Sequence, residues 1–281
     1  MYFDEDLVLD IRLNTLFDTV DKFIIAEATR DHAGKEKKLN FNINKFSKFK
    51  NKIEYLIIED LPIKVSAQKN NWHENHLRDQ FQRNSLSKGY EKFEDNDLIM
   101  ISDIDEIPDP KKISSFEHKK KYACFLQRNF QSKLNLLNTS DGYWAGTKIC
   151  KKKNLKSPQW IRNVKNKKFG FWRLDTFFSE TKYINKIFIK SGGWHFSNLK
   201  NPVDIENKLK SYLHHRDFDV ENIDLKEISK LMRNNETIYD MFADKREKKF
   251  SENKRKLNLY PKDKLPQYIL GNESKFKEWL D

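Results

Sequence analysis

Apolar and polar positions follow two different periods in the N-terminal part of the chain. Between residues 4 and 20, apolar positions recur at helical spacing and predict an amphipathic helix. The polar stretch 72–84 is helical by the same criterion. Continuous apolar runs, each typical of a strand buried on both faces, occupy 23–27, 53–58 and 98–102. This order of elements predicts an α/β fold with a single, doubly wound, mostly parallel sheet flanked by helices.

The pattern changes in the second half of the chain. Residues 122–131 and 143–150 alternate between apolar and polar positions as strands do. Residues 169–172 and 184–189 are predicted to form further short strands. From 203 to 256 the sequence is highly charged and mostly helical by period.

One main domain is expected from the length of the chain. The 281 residues contain no linker rich in Pro, Gly or Ser, and they are enough to bury a substantial core. We assign residues 1–200 to the main domain. Residues 201–281 are then a mostly helical C-terminal extension packed on that domain.

Composition limits the class of protein. Hydrophobic residues make up 37% of the chain, but 21 Phe, 10 Tyr and 6 Trp argue against disorder. The net charge of +12 is compatible with nucleic acid, an anionic membrane surface or a phosphorylated substrate. Cys124 and Cys150 lack metal-binding spacing and are expected to be free thiols of a reducing compartment. No apolar stretch approaches the ~20 residues that span a bilayer, so we expect a cytoplasmic protein.

Carboxylates follow the predicted strand 98–102 directly. Asp103 and Asp105 are two residues apart, so both project to the same side while the chain stays extended, and Ile104 points back into the core. In open α/β sheets, ligands bind outside the C-terminal ends of the strands. Hard oxygen ligands such as these, with Glu106 beside them, suit Mg²⁺ or Mn²⁺ together with a diphosphate. Alternatively, the acids only end the strand before a turn.

Several longer motifs follow one another along the chain. They are Leu9-Asp10-Ile11-Arg12-Leu13, Glu27 followed by Gly34-Lys35, Gln82-Arg83-Asn84, the segment 101–108, Trp144-Ala145-Gly146-Thr147 and Gly193-Trp194-His195-Phe196-Ser197. Together they resemble glycosyltransferase family 17, a resemblance that runs from residue 3 to about residue 216. It implies a GT-A-type fold, a nucleotide-sugar donor that is UDP-linked, N-acetylglucosamine as a candidate sugar, a divalent metal held through the Asp-x-Asp element, and inversion at the anomeric carbon. Residues 1–200 would then be the catalytic domain that binds the nucleotide-sugar.

The same resemblance suggests how the metal is held. Asp105, nearest the crevice, is the first choice for the direct ligand, and Asp103 is expected to contact the ribose or a metal-bound water. Glu106 would only orient the pair. His195 is the second candidate ligand, because a distal histidine commonly completes such a site. The alternative for His195 is a hydrogen-bonded histidine packed among aromatic residues.

Four further residues are candidates for binding the donor. Glu27 ends the first strand, where GT-A-type enzymes contact the nucleotide base. Arg83 is expected to bind the diphosphate or to brace Asp103, although it could equally form a surface salt bridge. Lys35 follows a glycine and can reach a phosphate. Trp194 is expected to form core or a surface on which a sugar stacks.

Inversion requires a base that removes the proton of the acceptor hydroxyl. Asp141, Asp175 and Glu180 lie between the metal motif and the distal histidine, in the segment that should line the acceptor side. Asp175 ranks first because residues 172–174 before it are predicted to be strand. The acceptor is expected to be a glycan or glycoconjugate.

Two rival functions use the same features. A nucleotidyl- or phosphotransferase would need the same metal and diphosphate site. A basic nucleic-acid-binding protein would use the aromatic residues interleaved with lysines, but a buried strand that ends in acids repels phosphate, so no nucleic-acid partner is expected. The basic charge is also compatible with peripheral association with an anionic membrane.

Overall fold

The computed structural model describes residues 1–62, 71–116, 120–140, 142–211, 223–238 and 255–281, except for the side chains of 71–73 and 210–211. The helices in these ranges are α1 (Asp6–Leu16), α2 (Asn71–Asn84), α3 (Pro110–Ile113), α4 (Pro158–Asn163), α5 (Pro202–Ser211), α6 (Leu225–Arg233) and α7 (Gln267–Leu270). The strands are β1 (Phe23–Ala28), β2 (Ile53–Ile58), β3 (Leu98–Ile101), β4 (Glu106–Pro108), β5 (Tyr122–Gln131), β6 (Leu136–Leu137), β7 (Tyr143–Lys151), β8 (Lys186–Ile189), β9 (Gly193–Ser197) and β10 (Asn258–Leu259).

The predicted elements of the N-terminal part are confirmed. α1, α2 and the first three strands lie where the periodicity places them. The pairing of the strands differs from the prediction, however. β1 and β2 form a separate two-stranded parallel sheet, and the remaining strands form an eight-stranded mixed sheet. The structure is therefore α/β with a curled central sheet, and not a single, mostly parallel sheet.

The third strand explains the difference. β3 pairs antiparallel with β7, with Ile99 opposite Cys150 and Ile101 opposite Lys148. Between β1 and β3 lies a cleft, which α1 also lines. The alternation of elements could not reveal this pairing, because the partner of β3 lies far along the chain.

β5 is the centre of the mixed sheet. It pairs with β7 antiparallel, and with β8 and then β9 parallel, one after the other along its length. β9 also pairs with β4 in the antiparallel sense, which places it between β4 and β5. As a result Glu106, His195 and Asn129 are direct cross-strand neighbours. Residues directly opposite each other project from the same face of a sheet.

The strand predicted at 169–172 is wrong. The backbone turns there instead, with the N–H of Arg173 donating to the Gly170 carbonyl (3.1 Å) and that of Thr176 to the Arg173 carbonyl (3.0 Å). A short 3₁₀ turn, Leu174–Thr176, follows. Phe and Trp favour strands only where they pack on a partner strand and a half-buried surface, and the side chains of Phe171 and Trp172 are exposed here.

The main core joins the two ends of the chain. Leu9 of α1 packs in one cluster with Phe130 and Phe196 of the sheet and with Ile269 and Phe276 near the C-terminus. The last described segment, 255–281, therefore packs on the same core as α1. α5 and α6 form a smaller cluster of their own.

Gly193, at the start of β9, allows β4 and β9 to approach closely. Its φ is +128°, and a Cβ there would lie 2.2 Å from the Ile107 carbonyl oxygen and 2.6 Å from the Asp109 nitrogen. The strand that carries His195 therefore depends on the absence of a side chain at this position.

We expect Gly193→Ala to lower the free energy of unfolding by about 3 kcal/mol or more, because backbone strain and steric overlap add. Gly142 is the matched control, since its φ is also positive (+64°) but nothing lies within 4 Å of a Cβ built there. Gly142→Ala should lower the free energy by only about 1 kcal/mol. Urea denaturation followed by tryptophan fluorescence measures both. Equal losses would show that strain alone matters at Gly193.

Candidate functional site

The acidic turn, residues 103–106, connects β3 to β4. The strand ends at Ile101, and the N–H of Glu106 donates to the Asp103 carbonyl (3.1 Å). The chain is therefore not extended here, and the expectation that Asp103 and Asp105 share one side is wrong. The turn directs the two carboxylates to different partners.

Asp103 is held by two arginines. Arg83 donates from Nη2 to Oδ1 (3.2 Å), and Arg162 donates from Nη2 to Oδ2 (3.0 Å). Burial raises the pKa of Asp103, but the two guanidinium groups outweigh it and hold this pKa well below the usual range. Asp103 is thus an anion whose two oxygens both accept hydrogen bonds from the protein.

Glu106 is the buried centre of the site. Its side chain is fully buried, and Arg162 binds it through two parallel hydrogen bonds of 2.7 and 2.8 Å. Trp144 donates from Nε1 to Oε1 (2.8 Å), and the N–H of Asp103 donates to Oε2 (3.0 Å). Burial lowers the pKa of Arg162, yet Glu106 and Asp103 outweigh it and raise that pKa. Bidentate geometry of this kind is among the strongest side-chain contacts.

Arg162 was not among the residues predicted from the sequence. Its position is set by the two ends of α4. Ser157 caps the helix by accepting the N–H of Trp160 (3.1 Å), and Pro158 occupies the first turn. At the other end, Lys148 donates from Nζ to the carbonyls of Arg162 (2.7 Å) and Val164 (2.6 Å). Burial lowers the pKa of Lys148 to about 8. The Ser-Pro pair is a recognisable helix start, but it does not reveal which acid the arginine reaches.

α2 holds the other arginine of Asp103. Arg83 donates twice to Asp79, one turn before it (2.8 and 3.1 Å), and once to Gln159 of α4. Of the two roles predicted for Arg83, the contact with Asp103 is present. Arg78 instead binds backbone carbonyls, including those of Pro62 and His32.

His195 lies beside Asp105. Its Nε2 is 3.5 Å from Asp105 Oδ2, and its ring stacks on Trp144 with centroids 4.4 Å apart. On the other side, Nδ1 lies 3.1 Å from Asn129 Oδ1, which can only accept. With Asn129 oriented in this way, Nδ1 is the donor of this contact. Nε2 then faces the carboxylate of Asp105, and its lone pair in a neutral imidazole can bind a cation together with that carboxylate.

Asp105 and His195 together fit a divalent cation that also binds a ligand. Burial raises the pKa of Asp105, but His195 outweighs it and lowers that pKa, so the carboxylate is ionised. Among the described residues, no group of three His, Cys, Asp or Glu side chains can hold a metal. Mg²⁺ and Mn²⁺ are commonly bound by one or two protein groups, with waters and substrate phosphates completing the shell. One carboxylate and one imidazole are compatible with such a site, and the imidazole favours Mn²⁺ over Mg²⁺.

A cleft opens on the Asp105 side of the turn. We call it the Asp105 cleft, and its lining residues include Phe3, Arg30, Lys37, Gln82, Asp103, Asp105 and Lys208. The full lining carries three positively charged side chains, those of Arg30, Lys37 and Lys208, and five carboxylates, those of Glu5, Asp31, Asp79, Asp103 and Asp105. A second cleft, the Trp144 cleft, is lined by Tyr143, Trp144, Lys148, Arg162, Lys168 and Lys190 among others. Trp144 borders this cleft and stacks on His195, so the second cleft adjoins the Asp105–His195 pair.

Glu27 is buried and bound to a lysine of the Asp105 cleft. Its carboxylate accepts hydrogen bonds from Lys37 Nζ (2.5 Å), from the N–H groups of Asn40 (2.8 Å) and Phe41 (3.0 Å), and from the Tyr55 hydroxyl (2.8 Å). It thereby holds Lys37, which lines the cleft. Contact between Glu27 and a nucleotide base stays a prediction.

The remaining predicted residues have partners other than the residues of the acidic turn. Lys35 is exposed in the loop after β1. Trp194 donates from Nε1 to the Lys264 carbonyl (3.0 Å) and packs against the main core. Asp175 accepts hydrogen bonds from Arg173 and Lys182, and these lower its pKa. Glu180 is largely exposed, 3.5 Å from a lysine.

Asp141 lies outside the described residues. The assignment of the base to Asp141, Asp175 or Glu180 therefore stays a prediction.

Comparison with known proteins identifies the class. A family model, glycosyltransferase family 17, matches residues 1–281. The chain therefore belongs to glycosyltransferase family 17, and it is a glycosyltransferase. Enzymes of this class use nucleotide-sugar donors and glycan acceptors. No curated protein and no solved structure matches the chain. Within the part of the chain that the structure describes, no helix has both the length and the apolar character needed to cross a membrane.

We expect Arg162→Met to lower the free energy of unfolding by about 3–5 kcal/mol, because it leaves the charge of Glu106 buried without its partner. Arg30→Met is the matched control, since Arg30 pairs with Glu36, whose side chain is 79% exposed. That change should cost less than about 1 kcal/mol. Denaturant unfolding of both variants provides the measurement. A similar small loss in both would mean that the Arg162 pair contributes no more than a surface contact.

Proposed function

We propose that the chain is a metal-dependent, inverting glycosyltransferase that moves a sugar, with N-acetylglucosamine as the first candidate, from a UDP-linked donor to a hydroxyl of a glycan or glycoconjugate. The observation that carries this proposal is the pairing of Asp105 with His195, whose Nε2 lies 3.5 Å from the carboxylate while Nδ1 contacts Asn129. Membership of glycosyltransferase family 17 supplies the reaction class.

The Asp105 cleft is the proposed donor site. A nucleoside diphosphate carries its negative charge on the phosphates, which Arg30, Lys37 and Lys208 would contact, while the divalent cation would offset the five carboxylates of the same lining. Asp105 and His195 would hold the metal at its edge. When bound, the divalent cation neutralises the charge that grows on the departing diphosphate.

The protein residues around the pair position it. Asn129 fixes the ring of His195 so that Nε2 faces Asp105, and the stacked ring of Trp144 restricts its rotation. Arg83 and Arg162 hold Asp103 and keep the turn in shape. Because such groups are already ordered before the ligand arrives, binding does not incur the entropy cost of arranging them.

The Trp144 cleft is the proposed acceptor side. It adjoins the Asp105–His195 pair through the ring of Trp144, and Tyr143 and Trp144 provide aromatic surface for a sugar. In an inverting transfer the acceptor oxygen forms its bond to the anomeric carbon as the bond to the diphosphate oxygen breaks. A carboxylate takes the hydroxyl proton. Asp175 would have to release Arg173 and Lys182 to serve as this base.

We expect Asp105→Asn to abolish Mn²⁺-dependent binding of UDP while the fold remains intact, because the change removes the charge and keeps the shape. Isothermal titration of UDP with and without Mn²⁺ measures the effect, and thermal unfolding checks the fold. Asp60→Asn, at an exposed position, is the control and should bind as the wild type does. Retained metal-dependent binding in Asp105→Asn would exclude Asp105 as the ligand.

The reaction itself is tested with a panel of nucleotide-sugars and glycan acceptors. We expect UDP and a glycoside to be released together, and an α-linked donor to give a β-linked product by NMR of the anomeric proton. An α-linked product would contradict inversion. Transfer of a phosphoryl or nucleotidyl group, with the sugar still attached to phosphate, would instead support the rival class of transferase.

A further inference from the structure

A loop between α4 and β8 exposes an unusual amount of apolar surface. We call residues 169–178 the aromatic loop. Five of its large side chains, those of Phe171, Trp172, Leu174, Phe177 and Phe178, are exposed, with relative exposures from 70% for Trp172 to 91% for Phe178. Single exposed apolar residues are ordinary on protein surfaces, but a contiguous group of this size marks an interaction site.

The loop is closed and internally bonded. At its base, the N–H of Lys165 donates to the Thr181 carbonyl (2.9 Å). Within it, Asp175 accepts a hydrogen bond from Arg173 Nε (2.7 Å), and it also accepts one from Lys182 Nζ after the loop (2.8 Å). Thr176 is buried and donates from its hydroxyl to the Arg173 carbonyl (2.7 Å).

The polarity of the loop is therefore inverted. Its polar side chains satisfy one another, and its rings face outward. This arrangement exposes apolar surface to water, and contact with a second surface would bury it favourably. Asp175, predicted to be the catalytic base, stabilises this loop through its hydrogen bond with Arg173.

The charge around the loop is strongly positive. Residues 165–190 contain seven Lys or Arg and two Asp or Glu. Lys186 lies over the ring of Phe169, 4.7 Å from its centroid. Aromatic residues surrounded by cations suit the interface of an anionic bilayer, where rings enter the headgroup region and lysines remain beside lipid phosphates.

We propose that the aromatic loop docks this enzyme onto the surface of an anionic membrane. Charge complementarity and the outward-facing Trp and Phe side chains together favour a lipid surface over a second protein. The loop also adjoins the Trp144 cleft, because Lys168, directly before Phe169, lines that cleft. A bilayer bound to the loop would therefore lie next to the proposed acceptor side.

Vesicle flotation of the full chain tests the proposal. We expect binding to vesicles of phosphatidylcholine with phosphatidylglycerol, and at least about tenfold weaker binding to phosphatidylcholine alone, since each lysine near an anionic surface contributes about fivefold. Replacing Phe171, Trp172, Phe177 and Phe178 together by serine should weaken binding about 100-fold or more. Lys167→Gln should weaken binding about fivefold.

The control is a variant with Val203 and Leu259 both replaced by serine. These residues are exposed and apolar but lie outside the loop, so the variant should bind as the wild type does. Thermal unfolding of every variant should be unchanged, because only exposed side chains are altered. A blue shift of tryptophan emission with anionic vesicles, lost in Trp172→Phe while flotation persists, would place the ring of Trp172 in the bilayer.

Several outcomes would overturn the proposal. It is wrong if the wild type does not float with anionic vesicles, or if the quadruple variant floats equally well. A third outcome is that the wild type fails to float but forms dimers in analytical ultracentrifugation, and that the quadruple variant does not form them. The loop would then be an interface between copies of the chain. None of these readouts uses sugar transfer, so the result does not depend on the proposed function.

Discussion

The buried, bidentate contact between Arg162 and Glu106 is the interaction on which the candidate site depends. It joins α4 to the acidic turn, which Trp144 of β7 also contacts at Glu106 Oε1 and Arg83 of α2 contacts at Asp103 Oδ1. Charges buried in this way are tolerated only when each finds a partner and its hydrogen bonds are complete. Because every member holds another, the network fixes the geometry of the turn more firmly than any single contact could.

Because of this network, the three carboxylates of the turn have different partners. Asp103 and Glu106 are both committed to arginines, so Asp105 is the acid of the turn that remains available beside His195. A third guanidinium, that of Arg12, donates to the Glu106 carbonyl (2.6 Å), and burial lowers its pKa to about 10. Three guanidinium groups therefore lie among the three acids of the turn and offset much of their negative charge.

The polar residues of β5 show what a closer reading of the periodicity could have found. Gln127, Asn129 and Gln131 alternate along a strand whose other residues, apart from Arg128, are largely apolar, and all three are buried. Buried polar residues at a period of two indicate a sheet face that holds a polar network. Asn129 on that face orients His195, and Gln127 accepts the N–H of Thr147 (3.2 Å).

The sequence by itself determined α1, the strands β1, β2 and β3, and the acidic cluster after β3, because these features follow from local hydrophobic periodicity and chain order. Its motifs also pointed to the family that the whole chain belongs to. Only the tertiary structure decided that β3 pairs with β7 and that the acids turn apart. It also decided that Arg162 reaches them and that residues 169–172 form a loop. These outcomes depend on contacts between residues distant along the chain, and local patterns carry no information about which distant partner a buried charge or strand edge will find.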